Sequence, residues 1–512
     1  MITVHYICKR FGDLYPAEIT DALKIKIFIF LFAICLIFCF CTRGGKSTGP
    51  NIVWILAEDL SPDLGCYGNE LVFTPNVDEL AQEGMRFLNV FATAPACSPS
   101  RTALATGMYQ ISIDAHHMRY PEDLKNPLPK EVIPMNELLR KSGYQTVNVK
   151  DGRGEMAGIG TGKTDWSFRS ETAAYDLASW DEIDPHMPFF AVINLRPTHR
   201  PFEQDPENPV NPDEVKLPPY YPDHPVCRRD WASYLETVQV MDRQVGVILD
   251  ELESRGWSDK TIVLFFSDHG RPFTRAKYFL YDSGLKIPLL IYCPEQLDWR
   301  QYIRPGSVDE RLVSAIDITA TTLSMAGIRR PRYMQGRVLL GPRREEERAY
   351  VFGAADRIGE TFFKSRGIRG KKYHYIRNYN HDLSVNSSAT AYRRATHPIW
   401  HVLRILDEEK RLAPEQQALA DLMAEDELYD VELDPYEIHN LATLPAYRDV
   451  LEDMKERLVT WQAEIMDYGM FPDPPALQEH FRQYGMTSEA RHANRFRELN
   501  ERVRKEIKCS AK

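Results

Sequence analysis

The chain has 512 residues, with 63 lysines and arginines against 73 aspartates and glutamates, and its formal net charge is −10. A chain of this length is too long for one small core and is sufficient for two domains. The acidic balance argues against a nucleic-acid-binding protein, because such proteins carry a basic surface. It does not exclude an anionic substrate, since a local basic pocket can lie in an acidic protein.

An apolar segment lies near the N-terminus at residues 27–40, and Lys24 and Lys26 precede it. The segment is shorter than a membrane-spanning helix and is typical of the apolar region of a signal peptide. We therefore interpret residues 1–49 as a leader that exports the protein to the periplasm or the cell surface. Cleavage, lipidation of the adjacent Cys41 as a lipoprotein, and retention as a signal anchor all stay open. Membrane contact is predicted only through this leader.

The first predicted element after the leader is a strand over residues 51–57, an uninterrupted apolar run. Such a run indicates burial on both faces, as in a parallel sheet. Glu58 and Asp59 follow its carboxyl end. Ligands bind at that edge of open α/β sheets, so these carboxylates are candidates for a binding site as well as for a solvated turn. A second strand, predicted over residues 85–91, leads to Cys97.

Cys97 precedes a predicted helix over residues 100–106. Pro99 disfavours helical geometry in the residue before it, so the helix is expected to start after this proline. Cys97 then lies at a helix N-terminus, where free N–H groups and the helix dipole favour an anion. A nucleophile beside an anion site suits attack on a charged ester, although a buried thiol is the simpler interpretation of this cysteine taken alone.

The segment Cys-Ser-Pro-Ser-Arg at residues 97–101, followed by Thr-Gly-Met-Tyr at 106–109, resembles the signature of the type I sulfatases. Weaker similarities extend from about residue 50 to about residue 445, and they are strongest to the heparan N-sulfatase (sulfamidase)-like branch. The resemblance implies that a maturation enzyme oxidises Cys97 to formylglycine, whose hydrated aldehyde is the nucleophile. It also implies an α/β, alkaline-phosphatase-like fold: a large, mostly parallel central sheet flanked by helices, plus a smaller C-terminal α+β subdomain with a short antiparallel sheet.

The same resemblance implies one divalent cation, calcium in this family. Its expected ligands are Glu58, Asp59, Cys97, Asp268 and His269. Asp268 and His269 end a further buried strand, predicted over residues 261–266, and carboxylate oxygens suit a hard cation. Type I sulfatases usually carry Asp-Asp at the positions of Glu58 and Asp59, so Glu58 departs from the family pattern.

The resemblance further implies residues that stabilise charge on the sulfate group. Together with Cys97, the expected catalytic residues are Arg101, Lys163, His199 and Lys277. For the sulfate-binding lysine two alternatives stay open. Lys150 directly follows the predicted strand 144–149, whereas Lys163 lies in Gly-Lys-Thr-Asp-Trp-Ser-Phe, which resembles the text of bacterial relatives, and we favour Lys163.

The segment after the Gly-Met-Tyr loop contains three residues that are predicted to bind substrate: His116, His117 and Arg119. The sulfamidase-like branch also carries a histidine pair there; ordinary loop residues are the alternative. Further loop arginines that flank the predicted site are Arg196, Arg200, Arg271 and Arg275. The resemblance implies a sulfated carbohydrate substrate, in particular a glycosaminoglycan, with heparan-type N-sulfoglucosamine as the first choice.

The predicted organisation is a leader at 1–49, a catalytic domain at 50–345, a C-terminal subdomain at 346–474 and a charged helical tail at 475–512. A hairpin is predicted over residues 366–379. Two alternatives to a sulfatase stay open: a formylglycine-dependent phosphonate or phosphodiester hydrolase of the same superfamily, and a non-catalytic glycan-binding homologue. A two-zinc phosphatase is disfavoured, because it needs more histidine ligands and an unmodified serine or threonine.

Overall fold

A computed structural model of the chain describes residues 49–150 and 154–510, and for Ser510 only the backbone. Gly49 begins one compact unit that continues to the C-terminus. The predicted leader lies outside the described residues. No helix in the part of the chain that the structure describes is long and apolar enough to cross a membrane.

The described residues form a seven-stranded central sheet. Its strands are β1 (Asn51–Ala57), β2 (Met85–Phe91), β3 (Gln145–Val149), β4 (Phe189–Leu195), β5 (Thr261–Ser267), β6 (Lys286–Tyr292) and β7 (Ser307–Ser314). Their spatial order is β3-β4-β1-β5-β6-β2-β7. β6 is antiparallel to its two neighbours, and the other neighbouring pairs are parallel.

The apolar runs of the sequence explain the centre of this sheet. All residues of β1, β4 and β5 are buried, because helices cover both faces. Trp54 lies between Phe190 and Phe266, with ring centroids 5.2 and 5.1 Å away and near-perpendicular ring planes. The predicted α/β fold with a large, mostly parallel sheet is confirmed.

Helices of the first part of the chain pack around the sheet. They are α1 (Pro75–Glu83), α2 (Cys97–Thr106), α3 (Met135–Lys141), α4 (Pro225–Ser254), the single turn α5 (Asp282–Leu285) and α6 (Ala315–Met325). α1 packs against α4, and α2 packs against α6. α4 begins with a proline at its first position, where the missing N–H has no intrahelical partner to lose.

A smaller antiparallel sheet follows, as predicted. Its strands are β8 (Val351–Ala355), β9 (Ser365–Arg369), β10 (Tyr373–Asn378) and β11 (Asp426–Asp430), in the order β11-β10-β9-β8, and β9 and β10 form the predicted hairpin. The remaining helices are α7 (Ala391–Thr396), α8 (Pro398–Glu408), α9 (Pro414–Gln417), α10 (Arg448–Ile465) and α11 (Pro475–Ser510). The long α11 packs on α7 and α8.

The register of the central strands brings three strand ends to one edge. Ala57, the last residue of β1, is paired with Leu195 of β4 and Ser267 of β5. The next residues continue this pairing: Glu58 N–H donates to the Leu195 carbonyl at 2.9 Å, and Asp268 N–H donates to the Ala57 carbonyl at 3.2 Å. Side chains that follow these strands therefore meet at the carboxyl edge of the sheet.

Candidate active site

Cys97 is the first residue of α2, so the helix begins three residues earlier than Pro99 predicts. Proline is tolerated in the first turn, because the N–H that it lacks has no intrahelical partner there. Ala96 is extended, with φ −153° and ψ 147°. Ser100 N–H donates to the Ala96 carbonyl at 3.1 Å, which closes the first turn. The Cys97 thiol thus lies at a helix N-terminus, and its side chain is fully buried.

Three charged or polar side chains surround the Cys97 Sγ atom. His269 Nε2 lies 3.3 Å away, Lys277 Nζ 3.5 Å and Asp59 Oδ1 3.8 Å. Asp59 connects the other two, because its oxygens lie 2.7 and 2.9 Å from Lys277 Nζ and 3.1 Å from His269 Nε2. We call Asp59, Cys97, His269 and Lys277 the catalytic cluster. Its residues come from the ends of β1 and β5, from α2 and from the loop before α5.

Positive charge dominates the surroundings of Asp59. Burial alone would raise the pKa of its carboxyl, but Lys277, His199 and His269 outweigh burial and hold this pKa well below its ordinary value. Burial would likewise lower the pKa of Lys277, and the Asp59 carboxylate raises it well above the usual range. For His269 burial is outweighed by Asp268 and Asp59, so the pKa rises to about 10. The cluster is therefore a buried set of ions.

A second ionic network adjoins this cluster. Asp268 Oδ2 accepts a hydrogen bond from Arg101 Nε at 2.9 Å, and Asp268 Oδ1 accepts from the backbone N–H groups of Asp59 and His269 at 3.1 and 3.0 Å. Burial opposes ionisation of Asp268, but the Arg101 charge lowers its pKa to about 2. Glu58 contacts the same arginine, with Oε1 3.7 Å from Nη2. The network connects the ends of β1 and β5 to α2.

Lys163 joins this second network, whereas Lys150 is exposed at the end of β3. Lys163 Nζ lies 3.1 Å from Glu58 Oε2. The glycine-rich segment before it returns to β3, since Gly162 N–H donates to the Val149 carbonyl at 3.0 Å. Gly162 has φ +61°, a left-handed conformation that favours glycine. The return brings Lys163, not Lys150, to the carboxyl edge of β1.

His199 lies beside the catalytic cluster, with Nε2 3.9 Å from Asp59 Oδ2. Its Nδ1 is 2.6 Å from the Arg200 carbonyl. A carbonyl only accepts, so Nδ1 carries the proton and Nε2 faces the site. Burial lowers the pKa of His199, although the Asp59 charge opposes this shift.

Comparison with known proteins identifies the family. A sulfatase model matches residues 50–328, and a model of the C-terminal part of N-sulphoglucosamine sulphohydrolase matches residues 273–386. An ulvan-active sulfatase of Formosa agariphila is 32% identical over 474 residues, covering 83% of this chain and 76% of that protein. Human N-sulphoglucosamine sulphohydrolase is 27% identical, covering 81% and 90%.

The chain belongs to the sulfatase family. Its membership of this family identifies it as a sulfuric ester hydrolase. Among solved structures, that of a 2-O glycosaminoglycan sulfatase matches with a TM-score of 0.58 at 19% identity, covering 84% of this chain and 96% of that chain. A match at this identity shows a shared fold.

The cation that the sulfatase family implies fits the catalytic cluster. Asp59, Cys97 and His269 each offer a ligand atom, and these three atoms lie within 4.8 Å of one another. His269 Nδ1 lies 2.8 Å from the Gly270 carbonyl, so Nε2 is the nitrogen that faces Asp59 and would bind a metal once it gives up its proton. Asp268 Oδ1 is 3.8 Å from the same Nε2. Glu58 contacts Lys163 and Arg101, so its role as a ligand stays a prediction.

The histidine pair of this sulfatase lies in a separate buried cluster. His116 and His117 have exposed fractions of 5% and 1%, and His117 Nε2 is 2.7 Å from Asp473 Oδ1. The observed partner of His117 is thus the segment before α11, and substrate binding by the pair stays a prediction. Arg119 is exposed and has φ +65°.

The other loop arginines differ in their availability. Arg200 makes a buried two-point ion pair with Asp230, with both N–O distances 2.8 Å. Arg275 donates to the carbonyls of Tyr436 and Glu437 and lies 3.5 Å from the ring centroid of Tyr281. The guanidinium groups of these two arginines are therefore engaged in contacts within the protein. Of the remaining two, Arg271 pairs with Asp63 at 3.0 Å and Arg196 is exposed.

Two residues that the sequence did not indicate also contact the site. The Asn194 amide oxygen accepts from Arg101 Nη1. Asn194 is the polar residue of the otherwise apolar β4, which is a signal that sequence reading can use. Arg393 in α7 donates from Nη2 to the Lys277 carbonyl at 2.6 Å, and its guanidinium carbon lies 4.6 Å from the ring centroid of Tyr278. No motif surrounds Arg393, and its contact lies 116 residues away in sequence.

Proposed function

We propose that this sulfatase removes sulfate from a sulfated glycan, with position 97 as the nucleophile. The single observation that carries the proposal is the catalytic cluster: a buried helix N-terminal side chain in contact with a carboxylate, an imidazole and an ammonium group. A structural thiol does not need three ionisable neighbours, whereas sulfuryl transfer needs a nucleophile, positive charge and a proton donor in one place.

Two groups supplied from outside the chain complete the proposed chemistry. A separate maturation enzyme, with an oxidant, would convert the Cys97 thiol to formylglycine. Hydrated formylglycine at position 97 would supply a hydroxyl nucleophile toward the sulfuryl sulfur, and its second hydroxyl would allow the aldehyde to be restored when sulfate is released. A divalent cation, calcium by family resemblance, supplies Lewis acidity toward a sulfate oxygen. Asp59, Asp268 and His269 would hold this cation.

The remaining residues provide positive charge around the sulfate group. Lys277 touches the Cys97 Sγ atom and Asp59, so it lies beside the attacking group. Arg101 lies on the same helix as Cys97 and is held by Asp268 at 2.9 Å. Lys163 joins these groups through Glu58, because its Nζ atom pairs with this carboxylate, which also contacts Arg101. Positive groups that are already in place stabilise the charge that develops on sulfuryl oxygens, at no cost of reorganisation.

His199 is the proposed proton donor to the departing glycan atom. Its Nδ1 donates to the Arg200 carbonyl, which fixes the ring with Nε2 toward Asp59. Because burial lowers the pKa of this ring, its protonated form is a stronger acid than an exposed imidazolium. A proton on Nε2 would therefore pass readily to the leaving oxygen or nitrogen.

For the substrate we propose N-sulfoglucosamine of a heparan-type glycan as the first choice. The match of residues 273–386 to the C-terminal model of N-sulphoglucosamine sulphohydrolases supports it. An O-sulfate of an ulvan-type polysaccharide is the second candidate, and the 32% identity to an ulvan-active sulfatase favours it. We further propose that residues 1–49 export the enzyme to the periplasm or cell surface, where such polymers are met; the apolar run 27–40 supports export.

The decisive experiment combines peptide mass spectrometry of position 97 with a substrate panel. The panel contains N-sulfoglucosamine, O-sulfated disaccharides, ulvan oligosaccharides, an aryl sulfate and a phosphonate monoester, and free sulfate or phosphonate is measured. We expect an aldehyde mass at position 97 and sulfate release from a sugar. Turnover of the phosphonate ester without sulfate release would establish the rival hydrolase, and an unmodified thiol in fully active enzyme would refute the nucleophile.

A further inference from the structure

We propose that His116, His117 and Asp473 form a second metal site, which takes a zinc-type divalent cation. Each of the three residues offers one ligand atom, and these atoms lie within 4.8 Å of one another. We call the three residues the histidine cluster. It shares no residue with the catalytic cluster, so the proposal stands independently of the proposed function. It joins the loop after α2 to the segment immediately before α11.

The two histidines are buried and only partly satisfied. Their exposed fractions are 5% and 1%, and the Nδ1 atom of each ring has no hydrogen-bond partner among the described residues. Successive side chains usually diverge, yet these ring centroids lie 4.2 Å apart. A buried polar atom without a partner costs free energy, and a bound ion is one of the standard explanations for the free His116 nitrogen. In the His117 ring the nitrogen that faces Asp473 is Nε2, so Nε2 would be its ligand atom.

Asp473 completes the set with an oxygen. Its Oδ1 atom is 2.7 Å from His117 Nε2, and its Oδ2 atom is 3.5 Å from an Arg357 nitrogen. Ligand atoms on a tetrahedral zinc with bonds of about 2.0–2.1 Å lie about 3.3 Å apart. The three ligand atoms of the cluster, all within 4.8 Å of one another, are therefore close to the separation that one ion requires.

Carboxylates contact both rings of the histidine pair. Asp114 Oδ1 lies 3.7 Å from His116 Nδ1, and Asp473 Oδ1 lies 2.7 Å from His117 Nε2. Arg357 also faces this site, with one nitrogen 3.5 Å from Asp473 Oδ2. A cation between the two rings would meet carboxylate oxygen as well as imidazole nitrogen, and a ligating imidazole binds in its neutral form.

The ligand chemistry selects the kind of metal. Two imidazole nitrogens and one carboxylate match the donors of zinc sites, whereas calcium takes oxygen ligands. The Asp473 side chain is 12% exposed and that of Asp114 is 44% exposed, which leaves a path from solvent. A water molecule would serve as a fourth ligand.

The test measures zinc in the full-length protein, with zinc chloride as the probe. Because zinc also binds other N/O sites, every variant carries Asp59→Asn, which weakens the catalytic cluster. After metal stripping, incubation with zinc and desalting, we expect one zinc ion per chain in Asp59→Asn and none in Asp59→Asn/His117→Ala. Cobalt in place of zinc should give visible absorption bands of a four-coordinate ion, and these bands should vanish in the double variant.

The matched control is Asp59→Asn/His374→Ala. His374 lies in another buried cluster, with Asp282 and Glu437, and its Nε2 atom also has no partner among the described residues. This variant should retain the zinc. Because His117→Ala removes a buried ring, the near-isosteric Asp473→Asn serves as the second variant, and circular dichroism verifies folding. Equal zinc content in the Asp59→Asn parent and in both histidine-cluster variants would refute the site, as would equal loss in the His374 control.

Discussion

The catalytic cluster and the histidine cluster have similar side chains and differ in the cations that contact their carboxylate. In the first, Lys277, His199 and His269 outweigh burial and hold the pKa of Asp59 well below its ordinary value. In the second, the hydrogen bond to His117 and the charges of His117 and Arg357 outweigh burial and lower the pKa of Asp473. Histidine and aspartate therefore do not by themselves determine what a site binds. In the first cluster a buried lysine contacts both the carboxylate and the Cys97 thiol, which suits an oxyanion together with a metal, whereas in the second the carboxylate contacts an imidazole and, at 3.5 Å, an arginine.

The largest expected effect separates the nucleophile from a structural thiol. Cys97→Ala should reduce sulfate release by at least about a thousandfold, because the covalent step loses its nucleophile. The matched control is Cys227→Ala, which removes an equally buried thiol within α4. The control should lower the melting temperature and leave kcat of the folded enzyme unchanged. Comparable kcat in the two variants would show that Cys97 is only a core residue.

Metal removal should distinguish the two clusters by ion. A calcium chelator such as EGTA should reduce activity by about a hundredfold or more, since the Lewis acid contributes several kcal/mol to the transition state. Calcium should restore the activity, and zinc at the histidine cluster should not replace it. Elemental analysis before and after treatment identifies the ions. Full activity in protein that contains no divalent cation would contradict the assignment of Asp59, Asp268 and His269.

The next effect concerns the two candidate lysines. Lys163→Ala should lower kcat/KM by about a hundredfold, because one charge-stabilising donor is lost. Lys150→Ala should stay near the wild-type value, since this side chain is exposed at the end of β3. Steady-state kinetics on the same sulfated substrate compares the two variants. A larger loss for Lys150→Ala would reverse the choice between them.

A smaller effect is expected at Arg393, a positioning residue. Arg393 is buried, its Nε and Nη1 atoms have no hydrogen-bond partner among the described residues, and Nη2 holds the Lys277 carbonyl. The neighbouring backbone is strained, with φ +67° at Arg275 and φ +86° at Tyr278. Arg393→Met should lower kcat by about tenfold with little change in KM, because a shift of Lys277 weakens the transition state more than binding.

The control for Arg393 is Arg366→Met. Arg366 is also fully buried, but it pairs with Asp467 and Asp356 in the small sheet region. This variant should lose stability, because two buried carboxylates lose their partner. It should retain kcat once corrected for the folded fraction, and thermal unfolding measured alongside the kinetics separates the two effects. Equal kcat losses in the two arginine variants would assign Arg393 a purely structural role.

The strand ends were predictable from sequence because parallel strands carry a distinct pattern. The apolar runs before Glu58 and Asp268 indicate strands buried on both faces, and their register then places these residues at one edge. Lys163 was predictable only through its motif. It does not follow a strand directly in sequence, and it reaches Glu58 because the glycine-rich segment folds back onto β3. Arg393 and Asp473 were not predictable, since their partners lie in distant segments and no local pattern marks such contacts.

The complete burial of α2 also implies an order of events for the proposed oxidation of Cys97. Every residue from Cys97 to Thr106 is buried, so the proposed maturation enzyme would reach the thiol only before this helix packs. Lys277, which contacts the thiol, is synthesised 180 residues later. The proposed oxidation would therefore compete in time with folding. The fraction of active molecules in a preparation would then depend on how fast the maturation enzyme acts relative to the closure of the central sheet, and not on stability alone.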